Sequence, residues 1–246
     1  MNKNANLVEV DVDNIKLKTL ANIPISITKS ITIYPLTLKE ITTLGYDIYN
    51  KSLNYICIDL KDIEYNYQSL ANITTLDFII NSCIQDANFK IMFLNALSLF
   101  LRSKMHFFDN KIYVNEILKE NIITNDIFKS IQTIIKVQNS IEQKKEDGYN
   151  VKSKKGREIL EKLKKGKEKL NKAKENLNLT LFDLVSIYCS YNNNTNLLDV
   201  WDYNMFQFND QFQRIQILEQ YDVNIQALLH GAKMEGENPT FIKKIN

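Results

Sequence analysis

Six glycines and three prolines are all the chain-breakers that 246 residues contain, so turns that need either residue are few and most of the chain must lie in regular elements. The length admits one large domain or two small ones. Hydrophobic residues make up 44% and charged residues 24%, which is ordinary for a soluble globular chain with a real core. The abundance of Ile, Asn and Lys reflects a low-GC codon bias and carries no function.

Residues 7–34 read as strands. Val8, Val10 and Val12 alternate with Glu9, Asp11 and Asp13, and Ile23, Ile25, Ile27, Ile31 and Ile33 keep the period of two. Pro35 stops this ribbon, and Thr37 with Glu40 forms a T-x-x-E capping box that opens a helix through about Ile58. Leu38, Ile41, Leu44, Ile48 and Tyr55 line one face of it. From Thr75, read as a cap, apolar residues run to Leu101 as two helices broken near Asp86 to Asn88, the expected buried centre. Met105 to Val114 reads as a hairpin, because Asp109 and Asn110 tolerate the positive φ of a tight turn. Thr124 and Asp126 then cap a helix to about Glu142.

Near the end, Leu179 to Tyr191 reads as a helix, Asn192 to Asn196 as a loop, and Asp202 as the cap of a last helix. That helix is expected to bury Met205, Phe208, Phe212, Ile215 and Leu218 and to close at Gly231. The class is therefore mainly α (α+β), with a small N-terminal antiparallel ribbon and a short mid-chain hairpin on a multi-helix body. The expected organisation is 1–142 for the strands and central helices, 143–175 for a charged arm, and 176–246 for an aromatic helix pair packed back on the body, one globular unit overall.

The net charge of +2 conceals an asymmetry. Lys144 to Lys174 holds 13 basic residues against five acidic ones, a balance of +8, and the rest of the chain stands at −6. Clustered lysines can release counterions from phosphates, and a polyanion contact here would fall to Lys152, Lys154, Lys155, Arg157, Lys164 and Lys165. Against it, Tyr149 is the one aromatic residue, Arg157 the one arginine, and glutamates are interleaved at helical spacing. A solvated arm with a thin stripe of Ile159, Leu160, Leu163 and Leu170 fits better, and nucleic acid is disfavoured as a partner.

No catalytic pattern is recognisable. His106 and His230, the two histidines, are far apart and lack flanking ligands, and there is no G-x-S-x-G, H-E-x-x-H, phosphate loop or G-x-G-x-x-G. Cys57, Cys83 and Cys189 are odd in number and set in apolar contexts, the pattern of buried free thiols in a reducing compartment. A non-enzyme without metal or cofactor is expected. The N-terminus lacks the apolar run of a leader, and Ile91 to Leu101 is about half of the roughly 20 residues that cross a bilayer, so a cytosolic protein without a membrane is the expectation.

Nine of the 25 aromatic residues fall between Phe182 and Tyr221, around the sole tryptophan, Trp201. Such density reads as a packing surface. Its surplus over the needs of a core would give a partner face built from Trp201, Tyr203, Phe206, Phe208, Phe212 and Arg214. Arg214 also stands four residues after Asp210, where an ordinary helical ion pair is expected.

Two stretches carry a resemblance. Ile31 to Gly45, ITIYPLTLKEITTLG, and Val200 to Gln216, VWDYNMFQFNDQFQRIQ, are similar to tail-morphogenesis proteins from phages of low-GC Gram-positive bacteria. Trp201, Asp202, Phe208, Asp210, Arg214 and Ile215 stand at that family's positions, whereas Asn204 replaces a common helix-opening proline. The strand followed by P-x-x-x-K/R-E also resembles the baseplate-hub chaperones of contractile-tailed phages. The resemblance implies a tail or baseplate assembly chaperone that binds a phage tail or baseplate component, in the host cytoplasm or in the virion. A structural subunit of the mature virion and a nucleic-acid-binding accessory protein using the Lys-rich arm are the alternatives. Oligomeric state and the identity of the partner stay open.

Overall fold

The computed structural model describes residues 11–60, 73–141, 179–192, 195–230 and 239–242. Those residues form eight α-helices and two small antiparallel sheets, a mainly α protein with a few strands. Two compact units share the chain: residues 1–142 with 201–246, and residues 143–200.

The first unit begins with α1, Val12–Leu20, whose N-cap is Asp11. A helix at this place corrects the strand expected there. The alternation of valines and acids stops at Val12, and Ile15 and Thr19, four apart, are the residues that α1 buries. Val8 and Val10 lie outside the described residues. The ribbon survives as β1, Ile25–Ser26, paired with β2, Thr32–Ile33, with Ile25 opposite Ile33.

The Thr37 and Glu40 capping box is formed in both directions and opens α2, Leu38–Leu44. The helix expected to run to Ile58 is broken at Gly45, whose φ of 98° and ψ of 126° lie outside the reach of other residues. The break starts α3, Tyr46–Ile56, on a new phase. Leu38 and Ile41 are buried as expected, but Tyr49, Leu53 and Ile56 replace Ile48, which is exposed.

Helices α4, Thr75–Gln85, and α5, Ala87–Leu101, part at Asp86, whose carboxylate accepts from the Asn88 and Phe89 amides. Thr74, one residue before the expected cap, closes a capping box with Asp77. Phe93, Ala96, Leu97, Phe100 and Leu101 of α5 are all buried, so the expected centre is the centre. β3, Met105–Phe108, turns back through Asp109 and Asn110, at φ 47° and 52°, into β4, Lys111–Val114. Two successive positive φ values define the type I′ turn that suits the twist of a hairpin.

Thr124 caps α6, Asn125–Gln138, which buries Ile127, Phe128, Ile131, Ile134 and Ile135. Buried Gln132 donates to the Ile56 and Ile58 carbonyls at 2.8 Å each, closing the end of α3. Tyr49 donates its hydroxyl to the Asn139 side chain, and burial raises its pKa. Helix α1 packs on α6, α3 on α5, and α4 on α5.

The second unit is described over its last part. Helix α7, Leu181–Tyr191, starts from a Thr180 and Asp183 capping box, and these bonds hold the Asp183 carboxyl below its usual range. The Asn192 amide donates to the Tyr188 hydroxyl at 3.0 Å. A 3-10 turn, Val200–Asp202, leads back into the first unit and to α8, Met205–Leu229.

Candidate functional site

The corner that opens α8 joins three helix ends. The Leu38 amide at the start of α2 donates to the Tyr203 carbonyl at 2.8 Å, and Thr37 pairs with Asn204 in an antiparallel bridge. Asn204, fully buried, is the N-cap of α8. Its Oδ1 accepts from the Gln207 amide at 2.9 Å, while the Gln207 side chain accepts from the Asn204 amide at 2.8 Å. The Asn204 Nδ2 protons go elsewhere, to the Thr19 carbonyl at 2.8 Å and the Asn22 Oδ1 at 3.2 Å. Gln207 adds a bond from Nε2 to the Leu20 carbonyl at 2.8 Å.

These bonds answer a specific need. The last carbonyls of α1 and the first amides of α8 have no partner inside their own helices, and an asparagine can donate to one set and accept from the other. The electrostatics agree, since the partly negative end of α1 meets the partly positive end of α8. Asn22, at φ 56°, reaches this node from the left-handed conformation that asparagine tolerates.

Asp202 sits in the 3-10 turn and not at the cap, because Asn204 is the residue with extended backbone and a side chain aimed at the third helical amide. Expectation put Asn204 aside as a replaced proline. The signal that finds it is in the sequence: Asn204 followed by Gln207 has the spacing of a capping box.

The residues expected to form a partner face are divided by the structure. Phe208, 1% exposed, belongs to the core with Met205, which corrects its place on a free face. Trp201, Tyr203, Phe206 and Phe212 are each half-buried, and Phe212 lies 6.0 Å from Phe208 between ring centres. Arg214 is exposed and stands 3.9 Å from Asp210, the expected ion pair along one helix. Lys152, Lys154, Lys155, Arg157, Lys164 and Lys165 lie outside the described residues, as does Gly231. Helix α8 closes at His230.

Beyond Phe212 the expected burial fails. Ile215 is half-buried, Leu218 is 48% exposed, and Val223 and Leu229 are exposed as well. No residue of α8 beyond Phe208 is buried: Ile217, Tyr221 and Ile225 are half-buried, and Leu218, Val223, Leu228 and Leu229 are exposed. Tyr221 meets Phe241 edge-on at 5.4 Å.

Residues 170–246 match the model of a family described as the YomV second domain. This stretch is similar to a phage-encoded protein of Bacillus phages. The match takes in α7, Asn204 with Gln207, and the whole of α8, but not the ends of α1 and α2 that Asn204 joins. No curated protein and no solved structure matches the chain.

Burial pushes the Cys57 thiol up to about 11 against a smaller downward pull from Lys136, and burial pushes Cys83 up to about 11 against Lys90. Cys189 is raised by burial and then by Asp199. All three are free thiols, but Cys83 alone is buried, whereas Cys57 and Cys189 are half-buried. Among the described residues no group of three or more His, Cys, Asp or Glu is placed to hold a metal ion, and no helix is long and apolar enough to cross a membrane.

Proposed function

We propose that this is a non-enzymatic phage protein of tail or baseplate assembly that holds a tail component through the distal half of α8. One observation carries the reading: the stretch similar to a phage protein contains a helix whose far end presents Leu218 and Leu229, three turns apart on one face, to solvent, with Val223 exposed on another. An apolar helix face that leaves its own body is the form in which helices seat in the groove of a partner. Half-buried Trp201, Phe206 and Phe212 lie nearer the corner. The Asn204 node then serves as the fixed root from which the helix projects.

Disruption of the gene in its phage, followed by electron microscopy of the lysate, tests the role. Tailless particles or tails lacking a baseplate are expected, restored by the wild-type gene but not by a Leu218→Asp, Val223→Asp double variant. Normal particles would end the proposal. Mass spectrometry of purified particles then separates the two assembly readings: absence supports a chaperone, and stoichiometric abundance a structural subunit.

A further inference from the structure

Beyond its root, α8 is two-sided. At 3.6 residues per turn, Ile217, Leu218, Tyr221, Ile225, Leu228 and Leu229 fall within an arc of about 120°. Glu219 and Asp222 lie outside that arc, and residues 217–229 contain no basic side chain. The stripe is unevenly covered: Ile217, Tyr221 and Ile225 are half-buried, whereas Leu218 is 48% and Leu229 80% exposed.

Tyr221, near the middle of the stripe, has an occupant. Phe241 stands edge-on against its ring at 5.4 Å between centres. Tyr221 lies nine positions before His230, where α8 closes, about 14 Å along the axis, so Phe241 sits back over the helix and not beyond its end. The contact is slight. Phe241 keeps 50% and Ile242 79% exposure, and the Ile242 amide donates within its own segment, to the Thr240 hydroxyl at 3.1 Å. A permanent part of the core is buried, as Phe208 is at the other end of the same helix.

We infer that residues 239–242, on the reading of α8 as the docking helix, form a strap that occupies the stripe through Phe241 and leaves when a partner seats there. Leu218 stands one turn before Tyr221 on the same stripe, so a partner seated on Leu218 meets Phe241. Ten residues, 231–240, tether Phe241 to the end of α8, and a tether of that length gives an effective concentration in the millimolar range. A segment of millimolar affinity is then bound about half the time, and it weakens a competing partner only about two-fold. The charges agree in sequence: residues 239–246 carry Lys243 and Lys244 and no acid, whereas residues 217–229 carry Glu219 and Asp222 and no base.

Solution NMR of the full chain tests the contact. The Tyr221 ring signals, shifted by the ring current of Phe241, should move in Phe241→Ala and in a chain ending at Asn238. Added to the shortened chain, the peptide of residues 239–246 should move them back, saturating in the millimolar range, and the same peptide with Phe241→Ala should not. Competition is read with anilinonaphthalene sulfonate, a dye that binds exposed apolar surface. Its fluorescence should rise on Phe241→Ala, and the rise should vanish when Leu218→Asp is added. Tyr221 signals that stay in place overturn the inference. So does dye binding indifferent to Phe241 or to Leu218, and so does loss of the cooperative melt on truncation at Asn238, which would make the segment part of the fold. In the phage, the chain ending at Asn238 should support particle assembly; a defect there overturns the strap by making the segment part of the docking surface. Normal particles after disruption of the gene would end the assembly role alone, with the strap still decided by the ring signals and the dye.

Discussion

The Asn204 side-chain amide donates to the Thr19 carbonyl at 2.8 Å across 185 positions of sequence, with both residues fully buried. Asn204→Ala removes a helix cap worth about 1 kcal/mol, a donor to the carbonyl of buried Thr19 worth about 1 kcal/mol, and a donor to exposed Asn22 worth less. A loss of roughly 2–3 kcal/mol in urea unfolding is expected on these terms. Asn204→Asp keeps the acceptor for Gln207 but sets a carboxylate against the Thr19 carbonyl, so it should rescue none of the loss. A cost below about 1 kcal/mol for the alanine variant would show that the node is incidental.

Phe208 and Phe212, one helical turn apart, should differ sharply. Phe208→Ala empties a site that is 1% exposed and should cost about 3–5 kcal/mol. Half-buried Phe212 has less area to lose and can be backed by water, so its alanine variant should cost no more than about 1–2 kcal/mol. Equal costs in parallel urea titrations would mean that α8 packs on the body over a longer stretch.

Gly45→Ala tests backbone strain without steric clash. The added Cβ would meet nothing nearer than the Ile48 Cδ1 at 3.9 Å, yet the φ of 98° is one that alanine resists. A destabilisation of about 1–3 kcal/mol is expected from conformation alone. Thermal melting of Gly45→Ala beside Gly45→Asn gives the check, and a neutral alanine variant would mean that the joint between α2 and α3 relaxes freely.

The raised thiols make a prediction about pH. Cys57 and Cys83 reach about 11 in the folded protein from an ordinary value of 9.0, so the native state retains their protons when the unfolded chain has lost them. Stability from the neutral thiols is complete below about pH 9 and is lost as pH rises toward 11. Replacement of both by alanine should flatten the fall in unfolding free energy between those limits relative to wild type, since the two proteins differ in nothing else. An unchanged slope would place the thiols in contact with water.

Local signals were the legible part of this chain. Thr37 with Glu40, Thr124, and the Asp109 and Asn110 turn are settled within a few residues, so sequence spacing alone recovers them. What failed depended on residues far away. The strand reading ran on through residues 12–20, but α1 exists there because Ile15 and Thr19 find a core and because Asn204 receives its end. The face of α3 was misplaced because one glycine resets the helical phase, and no periodicity that ignores Gly45 can see it. On the candidate face the ion pair of Arg214 was readable from i, i+4 spacing and the burial of Met205 and Phe208 from helical periodicity, whereas the exposure of Leu218 depends on where the body ends.

That the first unit is closed by residues 201–246 has a consequence for the chain as it leaves the ribosome. The end of α1 emerges early but must wait for Asn204, and the intervening 143–200 segment adds a few seconds at ~5–20 residues per second. During that interval Ile15 has its α6 surface available, while the Thr19 carbonyl keeps only its local bond from the Asn22 amide and the Leu20 carbonyl still lacks Gln207. Closing so long a loop costs little more than closing one half as long, so the delay is a matter of synthesis and not of thermodynamics. A nascent chain stalled before Asn204 would remain sensitive to protease at α1, and release of the last helix would be the event that ends its exposure.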